Sequence, residues 1–240
     1  MVSKNNIFEN RNFDGPIPDN YKLYLDDETV KKNNIPSIVN IGNLQSYPLL
    51  PIKKVETSYK QIETSLYTPL IFYNDKGKCY TIPAGLNEGE EKFVRDLISF
   101  LEKGQPIGNK ILDTLEFYLY RNPTRSGFHF YVLSESIFPD FILLVRKKDD
   151  EGRNQIIIYI EPHGLVYSDP INDPKLNLPD YLNKMNNEIK GLKTYAFIIS
   201  VTDRDNLNWD TSVKSHLENR GVLFQNEPGY IEKILEKVLN

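Results

Sequence analysis

The chain has 240 residues, 40% hydrophobic, 12% aromatic and 26% charged, so it carries enough Tyr and Phe for a sizeable core and is unlike a disordered polymer. No apolar run approaches the roughly 20 residues that cross a bilayer, the start lacks a secretory apolar stretch, and the single cysteine, Cys79, has no internal partner; we expect a cytoplasmic protein with no membrane association. A net charge of −4 excludes coating nucleic acid by bulk charge, but it permits one local basic surface.

Residues 1–58 are rich in Asn and Pro, with turn signals at Asp14-Gly15-Pro16, Pro18-Asp19-Asn20 and Pro48-Leu49-Leu50-Pro51, and read as an irregular arm or appendage. Residues 59–240 read as one domain. Ser65–Tyr73 and Lys78–Ile82 predict strands, joined as a hairpin across Asn74-Asp75-Lys76-Gly77. Over Glu88–Lys103, Phe93, Val94, Leu97, Ile98 and Leu101 recur at helical spacing, with Gly104 as the stop. A second helical pattern runs over Ile111–Tyr120. Phe128–Leu133, Asp140–Arg146 and Gln155–Glu161 predict strands, the last two as an antiparallel hairpin across Lys147–Asn154. Then follow a helix over Tyr181–Leu192, a buried strand over Thr194–Val201, a helix over Trp209–Asn219 and a short strand over Val222–Phe224. Pro228 opens a terminal amphipathic helix through Leu239. This order predicts an α/β fold with a central mixed sheet flanked by helices.

The chemistry lies in Phe138-Pro139-Asp140-Phe141-Ile142-Leu143 and, 21 positions after the aspartate, Glu161-Pro162-His163-Gly164. If the two strands pair as a hairpin, Asp140 at the start of one and Glu161 at the end of the next share a sheet edge. Two carboxylates there supply hard oxygen ligands of the kind that suit Mg²⁺ or Mn²⁺. Side chains alternate along a strand, so His163 faces the same side as Glu161. An imidazole titrates near neutral pH and can take a proton from an attacking water or stabilise phosphate charge. On the first helix Glu90 falls at about 60° from Phe93, within an apolar arc centred near 70°, so a third carboxylate faces inward, where a buried charge needs a partner. Arg121 and Arg125, in Arg121-Asn122-Pro123-Thr124-Arg125-Ser126-Gly127, offer guanidinium groups for phosphates; a solvated loop is the plain alternative.

The run Pro139-Asp140 followed by Glu161-x-His163 resembles the PD-(D/E)xK nuclease signature. Several segments resemble the C-terminal nuclease domain of type III restriction enzyme Res subunits and related DEAD/DEAH-type helicase-nucleases: Tyr67-Thr68-Pro69-Leu70, Leu86-Asn87-Glu88-Gly89-Glu90, Leu119-Tyr120-Arg121-Asn122, the two acidic motifs, Ser200-Val201-Thr202 and Tyr230-Ile231-Glu232-Lys233-Ile234-Leu235. The resemblance covers roughly residues 59–240 and implies a restriction-endonuclease-like fold and Mg²⁺-dependent endonucleolytic cleavage of DNA. It makes Asp140, Glu161 and the Pro162 carbonyl metal ligands, and Glu90 the helix acid. It also implies a helicase or translocase motor and a methyltransferase specificity subunit as partners.

His163 stands where that signature has lysine, and lysine keeps its charge at pH 7 whereas an ordinary imidazole mostly does not. No G-x-x-x-x-G-K-[ST] occurs, Gly104–Lys110 having the wrong spacing, so no ATP site is expected in this chain; it reads as a fragment of a larger enzyme or as a nuclease that borrows its motor. The alternative is the same fold with catalysis lost, serving as a DNA-binding or docking module. Cleavage of RNA shares the same metal chemistry.

Overall fold

In a computed structural model, the described residues are 22–25, 27–34, 36–40, 55–58, 70–73, 79–82, 86–104, 106–107, 112–122, 127–148, 155–188 and 193–239. The chain divides into two compact units, residues 1–60 with 69–91 and residues 61–68 with 92–240.

The first unit holds β1 (Lys22–Leu25), α1 (Asp27–Asn33), β2 (Ile38–Asn40), β3 (Val55–Ser58), β4 (Leu70–Tyr73) and β5 (Cys79–Ile82). β1 is flanked by β2 and β5, and β3 pairs with β4, all antiparallel. Among the described residues the expected hairpin between Ser65–Tyr73 and Lys78–Ile82 is not seen: β4 pairs with β3 and β5 with β1. Its turn, residues 74–77, lies outside the described residues. A local turn signal gave way to longer-range partners that the sequence does not mark.

α2 (Glu88–Glu102) begins in the first unit and continues into the second. Phe93, Val94 and Leu97 are buried along one side, and Gly104 ends the helix at φ 61, where its amide donates to the Leu101 carbonyl.

The second unit is built on one five-stranded sheet in the order β12-β11-β10-β9-β6. Its strands are β6 (Leu115–Arg121), β9 (Phe141–Lys147), β10 (Gln155–His163), β11 (Thr194–Ser200) and β12 (Val222–Phe224), and β7 (Phe130–Val132) and β8 (Glu135–Ile137) form a separate hairpin. β9 runs antiparallel to both β6 and β10, whereas β10, β11 and β12 are mutually parallel. The mixed sheet expected from the sequence is present, with helices on both faces.

Three helices complete the unit: α3 (Pro174–Glu188), α4 (Thr211–Arg220) and α5 (Tyr230–Leu239). On one face Phe141 meets Phe93 of α2 with ring centroids 5.4 Å apart, and Lys237 of α5 lies over the Phe197 ring. The Tyr230 hydroxyl donates to Asp96 at 2.8 Å and ties α5 to α2. On the other face Tyr159 and Ala196 pack with Leu178 and Leu182 of α3 and with the β7–β8 hairpin, while Ile198, Val222 and Phe224 pack with Leu176 of α3 and Leu217 of α4. Strands covered on both sides read as continuous apolar runs, as Ile156–Ile160 does.

Two expectations for this unit are corrected. Ile111–Tyr120 is not a helix: a 3₁₀ turn over Leu112–Thr114 leads into β6, where Leu115, Phe117 and Leu119 are buried and Glu116, Tyr118 and Tyr120 are not. That period of two, with β-favouring aromatics, outweighs a few apolar residues at helical spacing. The helix foreseen over Tyr181–Leu192 starts seven residues earlier, because Asp173 caps it through the Lys175 amide (2.9 Å) and Pro174 occupies its first position. Pro179 inside the helix hid this start from a sequence reading.

Candidate active site at the end of the central sheet

The antiparallel register of β9 with β10 pairs Phe141 with Ile160. One step further the same register sets Asp140 opposite Glu161, and the Asp140 amide donates to Glu161 Oε2 at 3.1 Å. Asp140 is held from its other side as well, since its carbonyl accepts from the Asn122 amide at 2.8 Å, which extends the β6–β9 ladder. The sequence expectation that the two acids share one sheet edge is met, and directly opposed strand residues have Cβ atoms about 5 Å apart.

Strand alternation fixes the face. Glu161 pairs with Ile198 and His163 with Ser200, whose neighbours on that side pack against α3 and α4. Glu161 and His163 therefore point toward α3, and by the alternation of β9 so does Asp140, two residues before Ile142. Arg121 pairs with Phe141, and the alternation of β6 assigns it to the opposite, α2-facing side. Arg125 lies outside the described residues.

Pro162 is tolerated in this interior strand for a geometric reason. The Ile157 amide donates to the Lys193 carbonyl and the His163 carbonyl accepts from Val201, so odd-numbered residues of β10 bond toward β11. Position 162 faces the β9 side, past the end of the β9 ladder, where no amide is needed. Its carbonyl is directed to the side on which Asp140 stands.

A residue that the sequence did not single out completes the cluster. Lys175, in the first turn of α3, makes a salt bridge through Nζ to Glu161 Oε1 and lies 3.5 Å from His163 Nδ1. The Glu161 side chain is 3% exposed and that of Lys175 33%, so a nearly buried carboxylate has its counter-charge at hand. Nε2 lies 3.4 Å from Ser168 Oγ and 3.8 Å from Asp173 Oδ2. Burial raises the Asp173 pKa, but His163, Ser168 and the Lys175 amide together outweigh it and hold the carboxyl down at about 2. The sequence signal that could have found Lys175 is Asp173-Pro174, a helix cap followed by a first-position proline, which sets a lysine in the first turn of a helix facing the sheet.

The loop from Gly164 to Asp173 is braced. The Leu165 amide donates to Thr202 Oγ1 at 3.0 Å, and Asp169 Oδ1 accepts from the Ile171 and Asn172 amides at 2.8 and 3.1 Å. Asn122, 6% exposed, donates through Nδ2 to the Phe128 and Pro139 carbonyls at 2.7 and 2.8 Å and accepts from the Phe128 amide at 2.8 Å. It fixes the backbone just before Asp140.

Glu90 belongs to the first unit. Its Oε2 accepts from the Asn87 amide at 2.9 Å while Asn87 Oδ1 accepts from the Glu90 amide at 2.9 Å, a reciprocal cap at the start of α2 that gives this buried carboxylate a partner. Among the described residues no group of three or more His, Cys, Asp and Glu side chains is arranged to hold a metal ion, and no helix is long and apolar enough to cross a membrane. No protein-family model, curated protein or solved structure matches the chain.

Proposed function

We propose that the chain is a divalent-metal-dependent nuclease that hydrolyses DNA phosphodiesters, on a restriction-endonuclease-like sheet, at a site made by Asp140, Glu161, His163 and Lys175. One observation carries the reading: two carboxylates stand opposite each other on adjacent strands, with an imidazole at the next position on the same face and a lysine ammonium on Glu161. A helicase or translocase motor and a methyltransferase-type specificity subunit are the proposed partners, by the resemblance of the motifs.

The donor set fits a hard cation. Mg²⁺ keeps several waters and needs only one or two carboxylates, and Asp140, Glu161 and the Pro162 carbonyl are oxygen donors that would hold it. When bound, the ion supplies positive charge against the phosphate oxygens. The chain's own groups supply the rest. Lys175 brings an ammonium to the position next to His163, which stands where the motif has its lysine. His163 steers that ammonium through Nδ1 and is itself oriented by Asp173 and Ser168. Lys175 then faces the developing charge of the reaction, and Glu161 balances it before substrate enters.

A second reading, a nuclease-fold module that binds or docks without cutting, draws on the engagement of both Glu161 oxygens, one by Lys175 and one by the Asp140 amide. Supercoiled plasmid incubated with Mn²⁺ separates the two. The nuclease reading expects nicking by the wild type and a loss of about 100-fold or more in Asp140→Asn and Glu161→Ala. Equal nicking by wild type and Glu161→Ala overturns the assignment, and a parallel RNA substrate decides between DNA and RNA.

A further inference from the structure

The loop that leaves the site exposes apolar side chains where a soluble surface ordinarily places polar ones. Tyr167 is 99% exposed, Ile171 74% and Val166 59%, and Val201, whose amide donates to the His163 carbonyl at 3.1 Å, is 41% exposed. This is not a slack segment. Ser168, the next residue after Tyr167, donates its amide to the Leu165 carbonyl and sets its hydroxyl 3.4 Å from His163 Nε2, while Asp169 and Thr202 brace the turn on either side. Consecutive Cα atoms are about 3.8 Å apart, so the Tyr167 Cα stands within roughly 10 Å of the imidazole. A rigid loop thus presents an aromatic ring entirely to solvent, one residue from a group that touches the candidate site.

We infer that Tyr167 is a stacking platform for a nucleobase next to the cleaved phosphate, and that the site takes nucleic acid whose bases are unpaired there, a single strand or a locally opened duplex. The inference rests on reading the neighbouring cluster as a phosphodiester-hydrolysing site. A base inside a duplex has both faces covered and cannot lie on a side chain, whereas an unpaired base gains from an aromatic plane whatever its identity. Ser168, the neighbour of Tyr167, and Lys175 approach the His163 ring at Nε2 and Nδ1 respectively, so a phosphate at Lys175 would have the Tyr167 loop beside it. With the carboxylates Asp140, Glu161, Asp169 and Asp173 around the cation and Lys175, further backbone phosphates gain little from this surface, so an uncharged contact such as an exposed ring adds affinity for the strand.

The test is binding of a fluorescently labelled single-stranded oligonucleotide, and of the same sequence as a duplex, to the full chain with Ca²⁺ present. Tyr167 touches nothing that its removal would unfold. The inference expects tighter binding of the single strand than of the duplex, a weakening of about tenfold in Tyr167→Ala, and recovery in Tyr167→Phe, which keeps the ring and loses only the hydroxyl. Equal single-strand affinity of wild type and Tyr167→Ala overturns it, as does Tyr167→Phe binding no better than Tyr167→Ala. A wild type that nicks plasmid yet gives either result leaves the hydrolase reading standing and removes the platform; a wild type that neither nicks nor binds removes both. A dimer in solution that Tyr167→Ala dissolves would assign the patch to a second copy of the chain and also overturn the inference.

Discussion

Glu161 illustrates at the scale of one side chain why burial and chemistry coincide here. A carboxylate 2% exposed is costly unless paired, and removing the partner of a buried ion pair costs more than the pair contributes. With Lys175 a third exposed, we expect Lys175→Met to lower unfolding stability by about 2 kcal/mol. Glu161→Gln in the same chain should restore most of that, because no charge is then stranded. Urea unfolding of the two single variants and the double variant checks this, and additive losses would show that the two groups do not interact. Asp173 gives a pH signature. Its carboxyl is held down at about 2, below its ordinary value near 3.8, so it stabilises the fold above about pH 4 and that contribution is lost as pH falls through 2. Relative to Asp173→Asn, the wild type should lose up to about 2 kcal/mol between pH 4 and pH 2, read from acid unfolding midpoints. The two-residue step from Glu161 to His163 was legible because strand alternation is strict, and the opposition of Asp140 to Glu161 followed from the hairpin. Lys175 was not, because it arrives from a helix twelve residues later and only the fold brings it back.

Between elements, the ends of strands matter more than their middles. β9 and β10 were recognisable from their apolar runs, but what places Asp140 is Asn122, at the end of a strand read from sequence as a helix. Its amide group satisfies the Pro139 carbonyl inside the protein and clamps Phe128 as well. Asn122→Ala should leave a buried carbonyl unpaired and cost about 2–3 kcal/mol. It should also lower any plasmid nicking by more than a surface substitution such as Glu232→Ala does. Thermal unfolding together with the nicking rate checks both halves; unchanged stability would mean that water replaces the amide at no cost. The misreading of β6 has the same root as the misplaced start of α3: short apolar patterns fit both periods, and proline and neighbouring strands decide between them.

For the molecule as a whole, the alternation of helices and strands was enough to foresee a mixed sheet covered on both faces, because layered burial leaves few other solutions. The pairings of β4 and β5 in the first unit were not legible, since they join segments distant in sequence and no turn announces them. The proposed function rests on one end of one sheet, where two acids, an imidazole and a lysine meet on the face covered by α3. That arrangement serves a nuclease only if it holds a cation, so the most direct test is Mn²⁺ binding to the purified chain followed by electron paramagnetic resonance. We predict one bound Mn²⁺ per chain in the wild type and its loss in Asp140→Asn with Glu161→Gln. Equal Mn²⁺ binding by wild type and the double variant, or no binding by the wild type at millimolar Mn²⁺, would contradict the account.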